Sequence, residues 1–379
     1  MPEKKTGIIS DQRSQLFKET SEKLRFPIAF YPLGDLFEGL EPGLAEVLVL
    51  DVTGVPGCHY GVENVFVPII HNLEMNGITV GNEQIAVNPT TSILIEPSTG
   101  NGWVAFSDAA TMLGYDHLVI IPDGLPKARY EHPQNRTVTI IKTPAEDYAI
   151  GLPRQLKSLI KQNPERLVRG EKIFVSPDHA IGAAEITLKT MSTLGYQLLQ
   201  NTGNQPFRVI ISMGNGASLC ALGEYVKRNT FQVKVVATES LAFGEGYDRF
   251  ALLKGLPRYI ELFGIAPANK HLMRFFSAYG TNAPIGIELP LQVRAISGDL
   301  IDEYVLFTDD KVLEVFSQLN LPYQYFKNTK NLPNYSKLPQ ALFERYGNST
   351  LANIATALKY LKQGELVIAM AYDGRENYC

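Results

Sequence analysis

The chain is poor in cysteine, with only Cys58, Cys220 and Cys379 in 379 residues. An odd, widely spaced set argues against a disulfide framework and against a thiolate-built metal site. The histidines show no His-x-x-x-His pair, so no metal is expected. No apolar run approaches the roughly 18–20 residues that a membrane span requires. Met1-Pro2-Glu3-Lys4-Lys5 lacks the apolar core of a signal peptide, and the expected location is cytoplasmic. Basic residues nowhere cluster, and a net charge of −4 offers no face for nucleic acid. Lysine is missing altogether between Lys23 and Lys127, and arginine between Arg25 and Arg129, so a long early segment carries no side-chain amine.

What remains is an ordinary globular composition, 45% hydrophobic and 20% charged, in a chain long enough for two domains. The spacing predicts helices over 11–23, 61–76, 102–113, 152–161, 179–200, 219–227, 310–319 and 349–361. Pro68 falls inside the second of these and should kink or split it, and Gly77 should end it. Short apolar runs at 46–52, 93–97, 117–122, 137–141, 207–213, 232–238, 302–307 and 365–371 read as buried strands. Residues 242–300 are irregular, and 321–337 form an aromatic, Asn-rich insert, expected as a surface loop. Strands alternating with helices imply an α/β fold with a mostly parallel sheet covered on both faces.

Two stretches stand out. Glu96-Pro97-Ser98-Thr99-Gly100-Asn101-Gly102 joins a buried strand to a helix, and Gly214-Asn215-Gly216-Ala217-Ser218 does the same further on. The start of a helix presents backbone N–H groups without intrahelical partners and the positive end of its dipole, which suits a carboxylate or a phosphate. For the first loop alone, a plain strand-to-helix turn with a capping side chain is the simpler account; for the second, a glycine loop needed only for tight packing is the alternative.

Their order is what carries further. The first loop resembles the substrate loop of cysteine synthase and its relatives, the fold-type II pyridoxal-phosphate (PLP) enzymes, which reads Glu-Pro-Thr-Ser-Gly-Asn-Thr-Gly. Gly214–Ser218 resembles that family's phosphate-cradling loop, usually Gly-Thr-Gly-Gly-Thr. Gly347-Asn348-Ser349-Thr350 is similar to the segment whose serine faces the pyridine nitrogen, and Tyr372-Asp373-Gly374-Arg375-Glu376 to the closing segment. Weaker matches are Tyr31-Pro32-Leu33 and His179-Ala180-Ile181-Gly182.

The resemblance implies two doubly wound parallel-sheet domains of tryptophan synthase beta-like architecture, with the site in the cleft between them. Residues 1–52 and 176–379 would form the large cofactor-type domain, and 53–175 the small mobile domain carrying the substrate loop. Gly214, Asn215, Gly216, Ala217 and Ser218 would hold the cofactor phosphate, Asn101 its ring hydroxyl and Ser349 its pyridine nitrogen. Ser98, Thr99 and Gly100 would hold a substrate carboxylate. A helix N-cap accounts for Ser349 equally well.

The family's defining lysine, which anchors PLP as a Schiff base, is absent. Its pattern, Ser-x-Lys-Asp-Arg, falls on 56–65, where the lysine position lands on Gly61, Val62 or Glu63. PLP would then bind without a lysine Schiff base, alone or as an amino acid–PLP adduct. His59 and Glu63 are the candidate catalytic bases, although a loop histidine and a first-turn carboxylate are the blander accounts. Cys58 has little beyond its neighbour His59 to recommend it.

Three functions stay open. One is a divergent enzyme acting on an amino acid or amino acid–PLP adduct, a lyase or transferase relative without ordinary β-replacement. A second is a non-catalytic pseudoenzyme that binds a ligand or partner. The third is a binder of another phosphate-bearing metabolite at the Gly214 loop. The expected partner is a small amino-acid-like or phosphorylated ligand, in a homodimer whose interface or lid uses Tyr323, Tyr325 and Phe326.

Overall fold

The computed structural model describes residues 9–24, 28–33, 47–53, 65–98, 102–125, 127–131, 137–203, 205–230, 232–240, 260–265, 291, 294–295, 298–317, 342, 345–360 and 366–372. In chain order the first elements are α1 (Asp11–Lys23), β1 (Ala29–Pro32), β2 (Val47–Asp51), α2 (Phe66–Asn76), β3 (Ile78–Val80) and β4 (Glu83–Ile85). β5 (Ser92–Pro97), α3 (Gly102–Met112), β6 (Asp116–Pro122), β7 (Thr139–Thr143), α4 (Tyr148–Ile160), α5 (Asn163–Val168) and β8 (Ile173–Val175) follow. Then come α6 (Ala184–Thr202), β9 (Phe207–Ser212), α7 (Ala217–Asn229) and β10 (Val233–Ser240). The last are β11 (Glu303–Phe307), α8 (Asp309–Ser317), α9 (Asn348–Tyr360) and β12 (Leu366–Ala371).

These elements divide into two compact units, one of residues 1–26, 55–190 and 376–379, the other of 27–54 and 191–375. The first holds a four-stranded sheet in the order β7-β6-β5-β8, parallel throughout. Ile95, Ile120, Leu152 and Phe174 form a core between this sheet and α4. The second holds a six-stranded sheet in the order β1-β2-β12-β9-β10-β11, in which only β1 runs antiparallel. Its strands are near-continuous Val/Ile/Leu runs because the sheet is buried on both faces. Val47, Val49, Ile210, Val236, Val305 and Val367 are fully buried in one core with Leu351, Ile354 and Ala355 of α9. Each such aliphatic side chain contributes about 1.5–3 kcal/mol by leaving water. The α/β class with parallel sheets therefore holds.

Local signals explain most element ends. Ser10 caps α1, its hydroxyl accepting from the Arg13 N–H at 3.2 Å, and Asp11 and Lys23 sit at the dipole-favoured ends. Gly77 stops α2 at φ +64°, where a side chain would be strained. Two expectations are corrected. α2 begins only at Phe66, so Pro68 lies in its first turn, where its missing N–H had no intrahelical acceptor, and the helix runs unbroken through it. α6 begins at Ala184 rather than 179, because Asp178 turns left-handed at φ 49° and its carboxylate accepts from the Gly182 N–H at 2.8 Å. The aromatic insert at 321–337, with Tyr323, Tyr325 and Phe326, lies outside the described residues. Among those described, no helix is long and apolar enough to cross a membrane.

Candidate active site

In the six-stranded unit, β9 ends at Ser212 and the chain turns through Gly214-Asn215-Gly216 into α7. Gly216 is the N-cap residue of α7 at φ +89°, left-handed, with no side-chain cap. Asn215 Oδ1 accepts from the Ala217 N–H at 3.0 Å, which fixes the turn. The amides of Ser218 and Leu219 come next in a first turn that has no intrahelical acceptors for them. A Cβ placed on Gly214 would meet no atom within 4 Å among the described residues. No carboxylate occurs between Met213 and Leu219. Backbone donors and the dipole of a 13-residue helix fit a dianionic phosphate.

Ser349, half-buried near the start of α9, stands beside this loop. Ser212 Oγ lies 3.4 Å from the Ser349 carbonyl and donates to Asn353 Oδ1 at 2.9 Å. The same Asn353 oxygen accepts from Thr238 Oγ1 at 2.7 Å, and Asn353 Nδ2 donates to the Met370 carbonyl at 2.9 Å. One fully buried amide thus ties α9 to β9, β10 and β12. The Tyr372 N–H donates to Thr350 Oγ1 at 3.0 Å, closing the strand after β12 onto the same helix start. Ser349 is the residue to which the resemblance assigns the pyridine nitrogen. The signal for Asn353 was a lone amide amid Leu351, Ala352, Ile354 and Ala355, a polar side chain on an apolar face that needs partners.

In the four-stranded unit, β5 delivers Ser98, whose N–H donates to the Ile120 carbonyl at 3.0 Å and whose side chain is buried. One turn back, Glu96 is fully buried with Oε1 2.5 Å from His179 Nδ1. Burial holds the Glu96 carboxyl above its ordinary range, against the pull of His179. The Phe66 ring meets the His179 ring edge-on at 5.1 Å between centroids.

Of the residues named from the sequence, Gly214, Asn215, Gly216, Ala217, Ser218 and Ser349 are brought together on one sheet edge, and Ser98 lies at the carboxyl end of β5. His59, Glu63, Thr99, Gly100 and Asn101 lie outside the described residues, as does Cys58. Among the described residues, no three His, Cys, Asp or Glu side chains group as a metal site would need.

The family model described as "Pyridoxal-phosphate dependent enzyme" matches residues 80–319. The fold is similar to a hydrogen sulfide-producing enzyme from Fusobacterium nucleatum, with TM-score 0.60 and 18% identity over 95% of this chain and 99% of that one. It is similar to O-ureido-L-serine synthase at TM-score 0.59 and 16% identity, over 96% and 92% of the two chains. For cysteine synthase from Entamoeba histolytica the TM-score is 0.58 and the identity 15%, over 100% and 90%. Identities this low speak for fold alone, and that fold is the cysteine synthase-like, fold-type II architecture. With the family model spanning well over half its length, the chain belongs to the pyridoxal-phosphate dependent enzyme family.

Proposed function

We propose that this protein binds an amino acid together with PLP, or an amino acid–PLP adduct, without anchoring the cofactor on a lysine. The observation that carries this is the pairing of a phosphate-suited Gly214–Ser218 loop and Ser349 with a sequence that has no lysine from residue 24 to 126. Bound PLP supplies an electron sink for the α-carbon of an amino acid. The amides of the α7 start would hold its phosphate, the Ser349 hydroxyl would donate to its ring nitrogen, Asn101 would lie beside its ring hydroxyl, and Ser98, Thr99 and Gly100 would orient the amino-acid carboxylate. No lysine stands at the family's position in the sequence to move the α-proton, so ordinary β-replacement would be lost, and His59 or Glu63 would take the proton if turnover occurs. The same missing amine favours, as a second reading, a binding role without turnover.

Borohydride reduction of the PLP-loaded chain, followed by intact mass, tests this directly. The expected result is PLP retention in equilibrium dialysis with no pyridoxyl group fixed to the protein. A pyridoxyl-lysine in the digest would overturn the lysine-free reading. Failure of the chain to retain PLP, with or without an amino acid, would leave another phosphate-bearing metabolite as the ligand.

A further inference from the structure

A second polar cluster lies on the same edge of the six-stranded sheet. Asp51, the last residue of β2, is 2% exposed and its carboxylate is saturated with donors. Oδ1 accepts from the Thr53 N–H at 2.9 Å and Thr53 Oγ1 at 2.6 Å. Oδ2 accepts from Tyr31 OH at 2.7 Å, Tyr346 OH at 3.0 Å and Arg345 Nη2 at 2.9 Å. The Tyr31 and Tyr346 hydroxyls also touch one another. The Arg345 guanidinium carbon lies 5.3 Å from the centroid of each tyrosine ring. Its side chain is nonetheless 47% exposed. Among the described residues its one hydrogen bond is that to Asp51, which leaves further N–H donors on a half-exposed guanidinium. A planar fork fixed on two rings and one carboxylate, and half exposed, is preorganised for bidentate contact with an anion.

Its place in the sheet says which anion. Asp51 pairs with Ala371, and β12's pairing of Ala369 with Ile210 brings Ala371 level with Ser212. Two strand spacings, about 10 Å, therefore separate Asp51 from the start of the Gly214 loop. In parallel sheets this carboxyl edge is where ligands lie. Arg345 and Asp51 together are neutral. A carboxylate would leave a single excess negative charge and a phosphate dianion roughly twice that, and Arg345 is the one cation paired with Asp51 among the described residues. We propose that Arg345 is a specificity-determining residue that binds the side-chain carboxylate of a dicarboxylic amino acid, the Gly214 loop holding the phosphate end. This rests on the ligand reading above.

The test uses the full chain in isothermal titration and thermal shift, with L-aspartate, L-glutamate, L-asparagine and inorganic phosphate as probes, each with and without PLP. L-aspartate or L-glutamate should bind at least tenfold more tightly than L-asparagine. Arg345→Gln should remove that preference and leave phosphate binding within twofold, and Arg345→Lys should keep part of it. Far-UV circular dichroism and the melting midpoint establish that both variants fold. Equal affinity for L-aspartate and L-asparagine, no response to either dicarboxylate, or an unchanged preference in Arg345→Gln overturns the proposal. A dicarboxylate preference that depends on Arg345, with no response to phosphate or PLP, sinks the cofactor reading and leaves the arginine site standing. A phosphate or PLP response without the preference sinks the arginine site alone.

Discussion

His179 Nδ1 stands 2.5 Å from Glu96 Oε1, joining the turn before α6 to the penultimate residue of β5. Both side chains are buried, and Glu96 Oε2 has no hydrogen-bond donor in range among the described residues. Glu96 lies two residues before Ser98 in the chain.

Desolvation, more than any other influence, raises the Glu96 pKa, with Asp178 adding a like charge and His179 opposing both. A carboxyl whose folded pKa lies above its unfolded value binds its proton more tightly in the native state. Its favourable contribution is then complete below the unfolded value and is lost as pH rises through the folded one. Glu96→Gln keeps the shape and a neutral polar head without titrating. Urea midpoints from pH 4.5 to 8.5 should show wild type losing ground to Glu96→Gln as pH rises, since every other titrating group is common to both. A constant difference, or one of opposite slope, would contradict the assignment.

Asn353→Ala removes three hydrogen bonds at once and strands the Ser212 and Thr238 hydroxyls and the Met370 carbonyl in the interior. The expected loss is on the order of 3 kcal/mol in chemical denaturation. Thr238→Val, which removes one donor and keeps the shape, should cost about 1–2 kcal/mol. Equal costs for the two would mean that Asn353 is not the hub.

Gly216 sits at φ +89° as the N-cap of α7. Gly216→Ala should cost about 1–2 kcal/mol from left-handed strain, and it should weaken PLP or phosphate retention by distorting the amides of Ala217 and Ser218. Equilibrium dialysis at matched folded fraction separates the two effects. Full retention of phosphate ligands would place their site elsewhere.

A Cβ on Gly195 would come 2.6 Å from Tyr225 Cβ, where α6 lies against α7. Alanine should gain about 1 kcal/mol of helix propensity at this position. Overpacking of about 1–3 kcal/mol should outweigh it, giving a net loss by thermal melting. Because the clash is with the Tyr225 Cβ, Tyr225→Ala should not rescue Gly195→Ala.

Much of the fold could be read from the chain itself because parallel strands buried on both faces write themselves as unbroken apolar runs. Residues 207–213 and 365–371 are cases, matching β9 (Phe207–Ser212) and β12 (Leu366–Ala371) closely. Errors fell where side chains capture backbone groups. Asp178 holds the Gly182 N–H, and that bond, invisible to periodicity, delays α6 by several residues. The β3–β4 hairpin around Gly81 was too short and polar to stand out. For the site, the Gly214 loop and Ser349 were recognisable because glycine and hydroxyl spacing is local. Asp51, Tyr31 and Arg345 meet only through the sheet, across 294 positions between Asp51 and Arg345, and no local pattern encodes such a meeting.

The strand order also bears on how the molecule is made. β12 lies between β2 and β9, at the centre of the larger sheet, yet it leaves the ribosome after the other five described strands of that sheet. Until residue 371 emerges, β2 and β9 each present an unpaired apolar edge, an invitation to aggregate. A premature stop anywhere before β12 therefore splits that sheet through its middle instead of trimming its rim.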